Sequence, residues 1–231
     1  MMAKLLKSIS TMSNFNSLWY SFNYSIYNCL YTFFFSLRKQ GWRNVPENGP
    51  VILVANHQSF LDPIAIGLAA RRKLCYLARK SLFKKPLLDT YLRSVGCCPV
   101  DLEGVALDGI RSSLELLKSG SAILVFPEGT RSETGKLQEL KPGIQLLIRK
   151  SKAVVVPVGI VGAHEALPRN QLLPNLSPIF MTGELGAIAI SIGPPIDSDR
   201  LAELPKEDAL KIVHEAIAKE MSNACILKRK K

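Results

Sequence analysis

His57 and Asp62 lie five residues apart in Asn56-His57-Gln58-Ser59-Phe60-Leu61-Asp62-Pro63, and a histidine with a carboxylate at this spacing can work as a general base. A neutral imidazole accepts a proton near pH 7, and a positioned base contributes typically about 10²–10⁴-fold to a rate. The base needs one defined tautomer, which a carboxylate on its other nitrogen fixes; Asp62 is the nearby candidate. Five residues along one ideal helix would place the two side chains about 140° apart. The pair therefore predicts His57 in a turn and Asp62 at the start of a helix. Asp followed by Pro is also an ordinary helix start, so the spacing alone allows a purely structural role.

A second polar cluster is Phe126-Pro127-Glu128-Gly129-Thr130-Arg131-Ser132. Gly129 and Thr130 can offer backbone N–H groups, and Arg131 a forked cation suited to phosphate. Glu128 can hydrogen-bond a substrate hydroxyl, orient Arg131, or form a salt bridge within the turn. No G-x-S-x-G nucleophile elbow occurs, which leaves the base to activate the substrate's own hydroxyl.

These clusters need elements to hold them. Val51–Ala55 reads as a buried strand, and 74–78, 95–100, 122–126, 154–160 and 187–192 as five more. Helical patterns fall at about 63–71, 83–94, 105–118, 141–150 and 206–222. Strands alternating with helices predict an α/β fold with a single, mostly parallel sheet flanked by helices. In such sheets, sites gather beyond the carboxyl ends of strands. The two clusters directly follow the first and fourth predicted strands.

The N-terminal stretch differs from the rest. From Ser8 to Leu37 there is no charged residue, and aromatic residues crowd between Phe15 and Phe35. Phe15, Trp19, Phe22, Ile26, Leu30 and Phe33 follow helical steps of three and four. Asn and Ser residues interrupt the ~20 apolar residues that a spanning helix wants, while Tyr and Trp favour the headgroup level. We read residues 1–40 as a membrane-docking segment flanked by Lys4, Lys7, Arg38 and Lys39, and residues 41–231 as one further domain. A single span and a buried core helix are the alternatives.

The net charge of +11 is concentrated in residues 71–93, which carry eight cations against Asp89, and in the tail from Lys228 to Lys231. That distribution suits a phosphate-bearing partner: an anionic membrane, an anionic substrate or a nucleic acid. The basic stretch contains Tyr76 and Tyr91 but no nucleic-acid motif, so no nucleic-acid partner is expected. The five cysteines are odd in number and lack metal-ligand spacing, which fits a reducing, cytosol-facing location at a membrane.

The two clusters together resemble the first and third signature blocks of the glycerolipid acyltransferases, in the 1-acylglycerol-3-phosphate (lysophosphatidate) acyltransferase branch. Val154-Val155-Val156-Pro157-Val158-Gly159-Ile160 resembles the fourth block, and Leu77-Ala78-Arg79-Lys80-Ser81-Leu82 the basic segment between the first two. The resemblance implies transfer of a fatty acyl group from acyl-CoA or acyl carrier protein to a lysophospholipid hydroxyl, without an acyl-enzyme. It makes His57 the base, Asp62 its orienting partner, and Glu128, Gly129, Thr130, Arg131, Arg79 and Lys80 the substrate-binding set. It implies no metal, no tightly bound cofactor, and an α/β fold with an N-terminal docking element. The second block departs from the family pattern: Asp101 is followed by Leu102 where an arginine is usual, which keeps another acceptor, such as a lyso-ornithine lipid, open. A non-catalytic membrane-binding relative is the other alternative.

Overall fold

A computed structural model describes residues 17–100, 106–178 and 186–229, so Lys4, Lys7 and Leu102 lie outside the described residues. Seven strands form one sheet: β1 (Arg38–Gln40), β2 (Val51–Ala55), β3 (Leu74–Arg79), β4 (Cys97–Val100), β5 (Ala122–Val125), β6 (Val154–Val161) and β7 (Ala189–Ile192). Their spatial order is β1-β7-β6-β2-β5-β3-β4. The five strands from β6 to β4 are mutually parallel, while β7 runs antiparallel to β6 and carries β1 parallel to itself. The mostly parallel sheet expected from the sequence is present.

Alternation along the central strands builds two cores. Val51, Leu53 and Ala55 join one apolar cluster, Ile52 and Val54 the other. On the first face lie helices α1 (Ser17–Phe35) and α2 (Asp62–Ala70). The second face packs under α4 (Ala106–Lys118), α5 (Gly143–Ser151) and α8 (Lys206–Arg229). Helices α3 (Pro86–Ser94), α6 (Ala163–Ala166) and α7 (Ser198–Glu203) complete the chain.

Several boundaries differ from the sequence reading, two of them for a clear local reason. The helix expected over 83–94 is broken into a 3₁₀ turn, Lys80–Lys84, and α3. Lys85 precedes Pro86 and is extended (φ −92°, ψ 123°), as the clash with a following proline ring demands. The strand expected from residue 95 starts at Cys97, because Gly96 turns with φ 94°. The last helix runs on to Arg229, beyond the expected 222.

Helix α1 has two working faces. Tyr31 and Phe35 are buried in the first core, and the Tyr24 and Tyr31 hydroxyls donate to the Leu68 and Leu61 carbonyls of the α2 region at 3.0 and 3.2 Å. The opposite face leaves Trp19, Phe22, Ile26, Leu30 and Phe33 exposed, the stripe anticipated from the spacing apart from Phe15, which lies outside the described residues; Leu18 is exposed beside them. Arg38 and Lys39 do not serve as free flanking charges. Arg38 Nη1 donates to the carbonyls of Leu227 and Lys228, and Lys39 Nζ to Asn28 Oδ1 and Leu68 O. Both cations tie edges of the fold together. Among the described residues no helix is long and apolar enough to cross a membrane.

Candidate active site

Four adjacent parallel strands deliver their following loops to one edge of the sheet. In spatial order β6 leads to residues 162–178, β2 to His57, β5 to Arg131, and β3 to Arg79 and Lys80. The register Val54↔Val125 brings the ends of β2 and β5 level, so the two polar clusters emerge side by side.

The loop after β2 is pinned before any chemistry is considered. Asn56 extends the sheet with its side chain: Nδ2 donates to Ile160 O and Oδ1 accepts from Ile160 N, both at 2.9 Å. Gln58 Nε2 donates to Gly135 O at 2.6 Å, and Ser59 Oγ to Leu167 O at 2.9 Å. Buried side chains that match main-chain groups in this way leave one arrangement for the loop.

Within it, His57 Nδ1 lies 2.8 Å from Asp62 Oδ2. Asp62 is the first residue of α2 and fully buried, with the helix cap position taken by Leu61. Its carboxylate turns back to the preceding loop, where Oδ2 also accepts from the N–H of Gln58 (2.5 Å) and Ser59 (2.8 Å). An ordinary helix start would use those oxygens on the helix's own first turn. Burial pushes the Asp62 carboxyl above the usual carboxylate range, and the His57 hydrogen bond is the foremost effect pulling it back. An oxygen that already receives two main-chain N–H groups is best matched by a third donor, so Nδ1 carries the proton and Nε2 is the basic atom of the ring. Phe126 fixes the ring plane, stacking on His57 at 3.9 Å between centroids and 13° between planes.

Glu128, expected to hydrogen-bond a substrate hydroxyl, orient Arg131 or form a turn salt bridge, grips the main chain of two loops. It is buried, Oε1 accepts from His57 N at 2.6 Å, and Oε2 from Gln138 N at 2.9 Å. With Ser132 N donating to His57 O at 2.8 Å, the two polar clusters are strapped together through the main chain of His57. Burial raises the Glu128 pKa against the pull of those N–H donors. Gly129 differs too: its N–H closes the turn onto Phe126 O at 3.0 Å instead of facing outward, and Gly129 takes φ +75° to do so. Thr130 is exposed beside it.

Arg131 lies flat over the Phe60 ring, with Cζ 3.6 Å from the centroid. Its Nη1 is buried and has no hydrogen-bond partner. Its pKa is lowered first by desolvation and then by the charge of Arg169, with a further contribution from Arg79. Arg169 and Arg79, from two other loops on this edge, are thus near enough to act on the Arg131 charge, and Arg169 pairs with the exposed Glu133 at 3.3 Å. Such a gathering suits an incoming anion. The sequence reading missed Arg169 and Phe60: Phe60 stood inside a recognised block without a role, and Arg169 carries no local motif. Lys80 and Arg79 are exposed at the end of β3 on the same edge.

Beside the pair, between α1, α2, β3 and α3, lies an almost wholly apolar cavity of about 160 Å³. It runs from Pro63, next to Asp62, past Ile64 and Gly67 to Tyr76, Tyr91 and Cys97. All five cysteines are free. No group of His, Cys, Asp and Glu among the described residues is placed to hold a metal ion.

Known proteins resemble this chain in sequence and overall fold. A family model described as Acyltransferase matches residues 36–161. A 1-acyl-sn-glycerol-3-phosphate acyltransferase of Bacillus subtilis is 27% identical over 184 residues, covering 78% of this chain and 85% of that protein. A chloroplastic 1-acyl-sn-glycerol-3-phosphate acyltransferase of Arabidopsis thaliana is 30% identical over 138 residues, but the match spans only 38% of its length. The crystal structure of the 1-acyl-sn-glycerophosphate (LPA) acyltransferase PlsC from Thermotoga maritima aligns with a TM-score of 0.66 at 28% identity, over 84% of this chain and 73% of that one.

Proposed function

The chain belongs to the acyltransferase family, and within it we propose a 1-acylglycerol-3-phosphate O-acyltransferase that moves a fatty acyl group from acyl-CoA or acyl carrier protein to lysophosphatidate. The His57–Asp62 contact at 2.8 Å, on the edge where Arg131 and Arg169 converge, carries this reading. His57 Nε2 takes the proton of the acceptor hydroxyl as its oxygen attacks the thioester carbonyl. The new C–O bond forms, the C–S bond breaks, and the proton passes from His57 to the departing thiolate. Asp62 holds the imidazole tautomer and stabilises the imidazolium formed in between. Glu128 positions His57 through the main chain, and Arg131, Arg169, Arg79 and Lys80 receive the phosphate, with Gly129 and Thr130 shaping the turn beneath. The acyl chain occupies the apolar cavity.

Residues 1–40 dock on the membrane through the outward stripe of α1, and residues 41–231 form the catalytic body at the cytoplasmic face. Tyr76 and Tyr91 line the cavity, which supports a lipid partner over a nucleic acid.

The test is turnover by the purified chain on lysophosphatidate, lyso-ornithine lipid, lysophosphatidylcholine and monoacylglycerol, with both thioester donors. Lysophosphatidate is expected to be preferred, and preference for another acceptor would sink the assignment. In the same panel Arg169→Ala is expected to raise KM for lysophosphatidate roughly 2–5-fold with kcat little changed, the size of a partly exposed charge contact. The phosphate-free acceptor should not notice it.

Gly67 offers a check on the cavity. A Cβ there would sit 2.1 Å from Tyr76 Oη. Gly67→Ala is therefore expected to displace the Tyr76 ring, at a cost of about 1–3 kcal/mol in urea unfolding. Competition among donors should then shift toward shorter acyl chains.

A further inference from the structure

The segment between β3 and α3 presents an unusual surface. Leu87 is 89% exposed, Leu82 48% and Leu88 39%, within seven residues of chain. Lys84 and Lys85 stand exposed among them. A single exposed leucine is normal; three beside cations make an apolar patch with a basic rim. Asp89 is the only acidic residue between 71 and 100, and its carboxylate is held by Arg93 Nε at 2.7 Å. Nothing within that stretch neutralises the lysines.

The patch also has a position. Helix α3, which carries it, adjoins α1: Trp19 Nε1 donates to Ser94 Oγ at 3.2 Å, and the Tyr27 and Tyr91 hydroxyls share a hydrogen bond. The apolar cavity lies between these two helices, with Tyr27 and Tyr91 both in its lining. The outward stripe is carried by α1 and two of the three leucines, Leu87 and Leu88, by α3, the two helices whose Tyr27 and Tyr91 line this cavity.

We propose that Leu82, Leu87 and Leu88, with Lys84 and Lys85, form a second bilayer-contact surface selective for anionic phospholipid headgroups. Leucines enter the acyl boundary while the lysines remain at the phosphate level. A bilayer fits better than an acidic protein partner, because a solvated acidic surface would match Lys84 and Lys85 but leave the exposed Leu82, Leu87 and Leu88 in water. With both surfaces seated, the cavity between α1 and α3 faces lipid, and an acyl chain reaches it without crossing water.

The test is partition of the full chain onto vesicles of phosphatidylcholine alone or with phosphatidylglycerol added. The double substitution Lys84→Gln/Lys85→Gln is expected to weaken binding to anionic vesicles about 25-fold, roughly fivefold per lysine. Binding to neutral vesicles should stay unchanged. Leu87→Asp is expected to weaken both by roughly tenfold or more. Turnover on a monomeric short-chain acceptor should survive in all variants, showing an intact site. Unchanged partition overturns the proposal. So does an equal loss of turnover on the monomeric acceptor, which would place these residues in the site. A defect confined to carrier-protein-dependent turnover, with partition intact, overturns it in favour of an acidic carrier protein. Partition needs no catalysis, so failure of the acyl-transfer reading would leave this result standing on its own.

Discussion

Replacing His57 with alanine is expected to lower turnover of lysophosphatidate by about 10²–10⁴-fold, the loss that follows removal of a positioned base. The fall should lie in kcat. KM should barely move, since in the proposed reading the phosphate is received by Arg131 and Arg169 and not by His57. The fold should survive, because the straps through His57 use its main chain: N donates to Glu128 Oε1 and O accepts from Ser132 N. What the variant gives up is the stack on Phe126 and the Nδ1 bond to Asp62. Steady-state kinetics on acceptor and donor, beside urea unfolding, separate these effects. An alanine variant that turns over at the original rate would end the general-base role, whereas an unfolded one would show only that the contact is structural.

The parts of this site that were legible in the sequence are the local ones. His57 and Asp62 stand five residues apart, and the helical geometry that separates them on one helix already required a turn between them. Strand β2 could be read to the residue because Val51–Ala55 is apolar on both faces and bounded by loops. The outward stripe of α1 was legible through its periodicity, a spacing of three and four. Strand β1 was not. Its residues Arg38, Lys39 and Gln40 are polar, and only pairing with β7 at the sheet edge makes them a strand. The grip of Glu128 on His57 N joins residues 71 positions apart and cannot be inferred from either loop alone. Arg169 enters the site through the fold, because Ser59 Oγ fastens its loop at Leu167 O.

Asp62→Asn should separate function from stability. Asparagine keeps the shape, and its carbonyl oxygen can still accept from Gln58 and Ser59 N–H, as Oδ2 does at 2.5 and 2.8 Å. It brings no negative charge to balance the imidazolium that forms when His57 takes the proton. Turnover is expected to fall about 10²–10³-fold, equivalent to roughly 3–4 kcal/mol of transition-state stabilisation. Stability should respond in the opposite sense. Burial raises the Asp62 pKa above 3.8, so the folded chain holds this proton at pH values where the unfolded chain has released it. The unfolded state then binds fewer protons, and stability declines as pH rises from near 3.8 through the folded value. The penalty of the buried charge is present above the folded value and relieved on acidification. The asparagine variant lacks that slope, so its stability relative to the parent should grow with pH, measured by urea unfolding across this range. Its amide would occupy the place of Oδ1, which is buried without a partner, so the gain is partial. A parent whose stability advantage over the variant instead grew with pH would show that the His57 bond and main-chain donors outweigh burial, and would reverse the assigned direction.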